Sequence, residues 1–368
     1  MRVLQVLPAL DGGGVEKGTL EIAEALVKAG HESWVMSAGG RLVSALEMGG
    51  SRHIVWALGS KSPFTLLQVR AVRRWLLENP VDIIHIRSRM PAWIMYLAWK
   101  KLPPAQRPHL VSTVHGLHSV SRYSAIMNCG ERVIVVSETL RDFVLENYPA
   151  IDEKKLRLIF RGVDPEEYPW GYKPPAGWLS AWYQQYPQLL GKWIVTLPGR
   201  ITRLKGHKAF LRILRTLREQ KLPVVGLIVG GDDPKRLGYR KELDAAVQKM
   251  GLQDAVLFTG HRNDMREIYS VSKAVLSLSS KPESFGRTVL EALSMGVPVV
   301  GYAHGGVGEI LRTLYPGGAV SLNDEAGAVS AIARLYHNGV SDVKHNNAFL
   351  LATMQQQTLA VYRELVPT

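Results

Sequence analysis

Short apolar strand patterns alternate with helical patterns along most of the 368 residues, and the alternation runs twice. In the first half, strands are expected at 3–7, 33–36, 81–86, 110–114, 132–136 and 156–159. Helices are expected at 15–29, 64–77, 91–101 and 138–146. In the second half, strands are expected at 193–197, 224–229, 255–258, 274–279 and 298–302, with helices at 207–219, 240–250, 264–272, 287–295 and 324–337. Continuous apolar strands separated by amphipathic helices give a parallel sheet covered on both faces. Between the halves the texture changes: Pro165, Pro169, Pro174, Pro175 and Pro187 mix with Trp170, Tyr172, Trp178, Trp182, Tyr183 and Tyr186. This stretch reads as a linker carrying one short helix, 177–186. A last helical pattern near 346–364 trails the second sheet and is expected to pack back on the first domain. The fold class is therefore α/β, with two doubly wound Rossmann-like domains. Their expected bounds are 1–168 and 192–345, with a linker at 169–191 and the returning helix at 346–368. Such sheets bind ligands at the carboxyl ends of their strands, at a switch in strand order, and two of them suggest a central cleft.

Charge narrows the choice of ligand. Lysine and arginine exceed aspartate and glutamate to give a net charge of +13, which implies anionic partners. The cations are dispersed, and neither zinc-finger spacing nor an aromatic RNA-binding motif occurs, so nucleic acid is not expected. The single cysteine, Cys129, allows no intrachain disulfide and no cysteine metal cluster. No apolar run approaches the ~20 residues that span a bilayer. The opening Met1-Arg2-Val3-Leu4-Gln5-Val6-Leu7 meets Pro8 without a long apolar region or a small-residue cleavage site, unlike a secretory leader. A cytoplasmic location follows as the expectation.

The most informative motif is Ser280-Lys281-Pro282-Glu283-Ser284-Phe285-Gly286-Arg287-Thr288-Val289-Leu290-Glu291, with two glutamates eight positions apart. It lies between a strand and a helix expected to start near Gly286. If the whole interval were helical it would span ~12 Å, about the reach of a ribose, a diphosphate and a sugar. One glutamate then serves hydroxyls at each end, while N–H groups at the helix start receive phosphate. Two solvated surface glutamates would give the same spacing.

Other loops fall at strand ends. Asp11-Gly12-Gly13-Gly14-Val15-Glu16-Lys17-Gly18 opens the first helix, where glycine lets backbone approach a phosphate or a sugar. A dinucleotide fingerprint fails there, because its third glycine position is Lys17 and no acidic residue ends the second strand. His115, in Thr113-Val114-His115-Gly116, either meets a ligand or bonds a neighbouring loop. In Gly199-Arg200-Ile201-Thr202-Arg203-Leu204-Lys205-Gly206, Arg200 and Lys205 can flank an anion with two fixed charges. A leaving diphosphate needs that chemistry, since charge builds on it in the transition state. No P-loop, Asp-x-Asp, His-Glu-x-x-His or Gly-x-Ser-x-Gly occurs; Asp232-Asp233 are adjacent, before Pro234 in an expected turn. The helix carrying Arg70, Arg73, Arg74 and Trp75, and the next tract with Arg87, Arg89, Trp93, Tyr96, Trp99, Lys100 and Lys101, place cations beside tryptophans. That mixture suits an acidic bilayer surface or a phosphorylated glycolipid, and equally a buried aromatic face with solvated cations.

Taken in order, Gly-Gly-Val-Glu (13–16), Thr-Val-His-Gly (113–116), Val-Ser-Glu (136–138), Arg-Gly-Val-Asp (161–164), Gly-Arg-x-x-x-x-Lys-Gly (199–206), Phe-Thr-Gly (258–260) and Glu-x7-Glu (283–291) resemble the retaining, nucleotide-sugar-dependent glycosyltransferases of family 4, which have the GT-B fold. The resemblance covers nearly the whole chain. Residues 5–41 and 115–137 look like a bacterial lipopolysaccharide core glycosyltransferase. The resemblance implies that Arg200 and Lys205 hold the donor diphosphate, Glu283 the hydroxyls of the transferred sugar, and Glu291 the ribose. Backbone N–H groups of Ser284, Phe285, Gly286, Arg287, Thr288 and Val289 would receive the distal phosphate and sugar. His115 would contact the sugar near its anomeric centre. Gly13 and Gly14 would close over donor and acceptor, and Gly260-His261-Arg262 would meet the base. One departure is Arg161, where the family often has asparagine. The implied reaction is front-face transfer of a hexose, from a UDP-linked donor to a lipopolysaccharide core or related glycolipid, at the cytoplasmic face of the inner membrane. It implies no metal, no cofactor and no enzyme nucleophile. A family-4 enzyme for another polysaccharide precursor is the alternative, as is a non-catalytic sugar-phosphate binding module.

Overall fold

The computed structural model describes residues 1–60, 65, 67–231, 237–339 and 342–366. The Asp232-Asp233 turn and the expected helix start at Phe64 lie outside the described residues. The chain forms two compact units, Met1–Arg161 with Leu351–Thr368, and Gly162–Leu350.

The first unit is built on β1 (Arg2–Val6), β2 (Glu32–Ser37), β3 (Arg52–Val55), β4 (Ile83–Ile86), β5 (His109–Val114), β6 (Arg132–Val135) and β7 (Leu156–Leu158). They form one parallel sheet in the order β3-β2-β1-β4-β5-β6-β7. Around it lie α1 (Gly14–Lys28), α2 (Val43–Met48), α3 (Val69–Glu78), α4 (Arg89–Lys100), α5 (Arg122–Ala125) and α6 (Glu138–Asn147). The order reverses between β1 and β4, so the carboxyl ends of these strands form the switch point where such sheets take ligands.

The second unit carries β8 (Trp193–Pro198), β9 (Val224–Val229), β10 (Val256–Gly260), β11 (Ala274–Ser277), β12 (Val299–Tyr302) and β13 (Ala319–Val320), ordered β10-β9-β8-β11-β12-β13. Its helices are α7 (Ala176–Gln185), α8 (His207–Glu219), α9 (Leu237–Lys249), α10 (Met265–Val271), α11 (Arg287–Ser294), α12 (Gly305–Leu314) and α13 (Glu325–Asn338). The switch falls between β8 and β11. Residues 169–191 lie inside this unit. Trp178, Trp182 and Tyr186 recur every fourth residue; Trp178 stacks on Trp182 at 5.0 Å and Tyr186 meets Trp182 edge-on at 4.7 Å. Trp182 packs on Ile194, Val225, Leu227 and Ile268 of the second core. An aromatic stripe at helical spacing thus becomes core.

The closing helix α14 (Leu351–Leu365) buries Met354, Leu359, Val361 and Tyr362 against Val3, Ile22, Leu26, Ile83 and Val111 of the first unit. It starts later than the sequence pattern suggested because Asn346 makes a turn: its Oδ1 accepts from Phe349 N at 2.9 Å and its Nδ2 donates to Phe349 O at 3.0 Å. The sequence reading missed β3, whose Arg52 and Val55 are exposed at the sheet edge. It also missed α12, whose opening Gly305-Gly306-Val307-Gly308 looks like a loop.

Candidate active site

The second unit gathers its motifs at the switch point. After β8 the chain bends at Gly199 (φ +134°), and the Lys205 stem lies against that bend: a Cβ on Gly199 would sit 3.4 Å from Lys205 Cε. Gly206 (φ +77°) then starts α8 so close to β11 that a Cβ would sit 2.1 Å from Leu278 O. Only glycine fits that backbone and that space. Ser280 N donates to Leu204 O at 2.8 Å, joining this loop to the one that carries Glu283. Lys205 Nζ therefore reaches Glu283 Oε1 at 2.7 Å. The Ser279 hydroxyl donates to the same oxygen. Burial pushes the Glu283 carboxyl up, but the Lys205 charge and hydrogen bond, with help from Ser279 and His304, hold it below the usual carboxylate range. Arg200 stands exposed on the same loop.

The sequence reading did not single out Ser279, His304, Gly305 or Gly306. His304 Nε2 donates to Ser279 O at 2.8 Å, which steadies the residue bonded to Glu283. Gly306 N donates to Glu283 O at 2.9 Å. A Cβ at Gly305 would sit 2.6 Å from Glu283 O, and one at Gly306 would sit 2.4 Å from Phe285 Cα. A histidine and two glycines straight after β12 were the available signal, the same one that marked His115.

The Glu283–Glu291 interval is not a continuous helix. α11 begins at Arg287, after Gly286 (φ +108°), so the 12 Å estimate does not apply. Glu291 is buried, accepting from Tyr269 OH at 3.0 Å, with Arg287 Nε 3.6 Å from its other oxygen. One residue of this segment needs correction. Val289 is fully buried and its N–H donates to Gly286 O at 3.1 Å, so it closes the helix ladder and does not face a phosphate. Phe285 packs edge-on against Phe349, with ring centroids 5.8 Å apart. Ser284 and Thr288 remain half-buried. At the far end of the sheet, Gly260 (φ +71°) turns the chain after β10. His261 is exposed, 3.1 Å from Asn263 Oδ1. Arg262 grips Asp264 through two hydrogen bonds, of 2.8 and 2.5 Å, and lies over Trp182. Its guanidinium is thus committed to a side-chain partner.

The first unit places a buried cationic cluster at the carboxyl ends of β4, β5 and β7. Arg161 Nη2 donates to His115 Nδ1 at 2.6 Å. His85 sits between Thr113 Oγ1 and Tyr362 OH, each at 2.6 Å. Arg87 is 2% exposed, which corrects its expected place on the basic surface. Burial lowers its guanidinium to about 10, against the opposing pull of Tyr362 and Glu21, so it stays charged at neutral pH. Burial first, and then Arg161 and Arg87, hold His115 well below the usual histidine range. Gly13 caps α1 with φ +150°, while a Cβ on Gly14 would meet open space.

Among the described residues no cluster of three or more His, Cys, Asp or Glu is placed to hold a metal, and no helix is long and apolar enough to cross a membrane. Arg70, Arg73 and Arg74 are exposed on α3. The tryptophans beside them turn inward: Trp75 packs against Trp34 and Trp56, Trp93 Nε1 donates to Tyr123 O, and Trp99 Nε1 donates to Pro108 O.

Residues 12–167 match the model described as Glycosyltransferase Family 4, and residues 181–349 match that for glycosyl transferases group 1. A Bacillus anthracis N-acetyl-alpha-D-glucosaminyl L-malate synthase is 23% identical over 89% of this chain and 85% of its own. A Rickettsia africae glycosyltransferase structure superposes with a TM-score of 0.86 at 28% identity, covering 100% of this chain and 99% of the other. Anabaena HepE, solved with UDP and glucose, gives 0.81 at 21% identity, covering 99% and 100%. The two sheets with this topology are the GT-B fold. The chain is a glycosyltransferase of the family 4, group 1 type.

Proposed function

We propose that this enzyme transfers a hexose, with retention, from a UDP-linked donor to a lipopolysaccharide core or related glycolipid. The observation that carries this reading is the Lys205–Glu283 pair, fixed by Ser279 and the glycines of two loops at the switch point of the second sheet. Lys205 and Arg200 present cations where a diphosphate gains charge as the bond to the sugar breaks. Glu283 stays ionised and accepts hydrogen bonds from sugar hydroxyls. Glu291, oriented by Tyr269 and Arg287, takes the ribose. The Gly260-His261 backbone serves the base, and Gly286 to Thr288 supply N–H groups to the distal phosphate. His115, Gly13 and Gly14 belong to the face that meets the sugar and acceptor. The acceptor oxygen bonds the anomeric carbon on the side from which the diphosphate leaves, and a phosphate oxygen takes the hydroxyl proton. No step requires an enzyme nucleophile or a metal ion.

The exposed arginines of α3 and the +13 charge support contact with an anionic membrane face, where a glycolipid acceptor resides. The direct test incubates the protein with UDP-sugars and glycolipid acceptors, with and without EDTA, and determines the anomeric configuration of the product. Retained configuration and EDTA-resistant turnover are expected. An inverted product or a strict divalent-metal requirement contradicts the mechanism. Transfer only to a small soluble acceptor contradicts the acceptor assignment.

A further inference from the structure

Among the described residues, His115 has one ring nitrogen bonded and one without a partner. Nδ1 lies 2.6 Å from Arg161 Nη2. Nε2 is shielded from solvent and has no hydrogen-bond partner among the described residues. A guanidinium offers only donors and does not deprotonate in proteins. Nδ1 must therefore present its lone pair, which places the ring hydrogen on Nε2 in a neutral imidazole. Protonating Nδ1 would set N–H against N–H between two cations.

We propose that Arg161 is a positioning residue that locks His115 as a neutral Nε2–H donor, so that the histidine gives a hydrogen bond to the reacting sugar or its leaving oxygen and never takes the acceptor's proton. The placement of Arg161 looks built for this contact. It is 8% exposed at the carboxyl end of β7. Its Nη1 lies 3.5 Å from Met354 Sδ on α14. On its other side α1 makes room with a glycine: a Cβ on Gly18 would sit 3.0 Å from Nη1. Three elements of the first unit thus aim one guanidinium at one ring nitrogen. The groups around His115 reinforce the neutral form. Arg87 follows β4 and is cationic. His85 on β4 and His118 in the loop after β5 are both held below the usual histidine range, chiefly by burial. On α1 the Glu21 carboxylate bears on Arg87. A buried donor left without an acceptor is unfavourable, so Nε2–H is poised for an incoming acceptor.

The role of the lock rests on the reading of His115 as a group that meets the sugar, and the experiment separates the two. Long-range proton–nitrogen NMR on the full chain labelled with 15N-histidine, assigned with His115→Gln, reads the tautomer with no substrate present. The expected result is an unprotonated Nδ1 and a protonated Nε2 from pH 8 to 5.5. Arg161→Met is expected to give a tautomer mixture or a titrating ring in that range. In transfer assays Arg161→Met should lower kcat at least about tenfold with little change in donor KM, and Arg161→Lys should restore part of the loss. If Arg161→Met does not fold, Gly18→Ala crowds the guanidinium and is read the same way. A wild-type ring protonated on Nδ1 overturns the proposal. So does an Arg161→Met enzyme with unchanged tautomer and kcat. A confirmed tautomer with no transfer from any nucleotide sugar sinks the donor reading but not the lock.

Discussion

Replacing Lys205 by methionine removes the charge and keeps most of the stem. In the structure Lys205 and Glu283 have side chains 31% and 23% exposed, with 2.7 Å between the charged atoms. That places the pair between exposed ion pairs, worth ~0–1 kcal/mol, and buried ones, where removing one partner costs ~3–5 kcal/mol. About 2 kcal/mol is a fair middle value for the lost charge-assisted bond. If Lys205 passes that interaction to the departing diphosphate, the loss falls on the transition state, and ~1.4 kcal/mol per factor of ten gives roughly a 30-fold drop in kcat/KM. A second effect should accompany it. Lys205 is the main counterweight to burial at Glu283, so without it the carboxyl rises and the acid limb of the pH–rate profile moves to higher pH. The assay is nucleoside diphosphate release across pH 4–8, with far-UV circular dichroism to confirm the fold. Unchanged kcat/KM, or a lower rate with an unmoved acid limb, refutes the assignment.

Gly206→Ala should cost at least about 2 kcal/mol, because it forces a left-handed alanine against Leu278 O; an unchanged melting temperature would show the loop to be more yielding than drawn. Acid should destabilise the protein through two histidines, buried His207 and half-buried His118. His118 and His207 drop to about 4 from 6.5 because burial favours their neutral form, so the unfolded chain binds more protons below pH 6.5, and stability falls from there to about pH 4. Melting curves that stay flat from pH 7 to 4.5 would exclude this. Replacing Arg70, Arg73 and Arg74 by glutamine should release the protein from anionic liposomes at low salt, and wild-type binding should fade as salt rises; equal sedimentation of both proteins would remove the α3 contact.

Periodicity showed most of the fold, because buried parallel strands such as 224–229 and amphipathic helices such as 207–219 leave clear patterns. It failed where packing overrides local preference. Gly305, Gly306 and Gly308 read as loop residues, yet they open α12 because the Glu283 loop leaves no room for a Cβ at Gly305 and Gly306. Strand β3 was hidden because an edge strand exposes half of a mixed run. At the site, loop chemistry brought out Lys205 and Glu283, whose contact spans 78 positions. The helix start near Gly286 was legible, but not that the Val289 N–H turns back onto Gly286 O, a bond that only the left-handed turn at Gly286 sets up. Arg161 and Arg87 escaped for a different reason: arginine is ordinarily exposed, and only the three-dimensional meeting of β4, β5, β7 and α14 turns these two into buried partners of histidine and tyrosine.

The central claim is that the second unit holds a nucleotide sugar by its diphosphate. Thermal unfolding of the full chain with UDP, UDP-sugars and other nucleotide sugars, run beside Lys205→Met, tests it most directly. A ligand at about 100 times its Kd adds ~2.7 kcal/mol to native stability. A rise of several degrees with a UDP-sugar, much reduced in Lys205→Met, is the expected result. No shift with any nucleotide sugar, or an equal shift in both proteins, would contradict the claim.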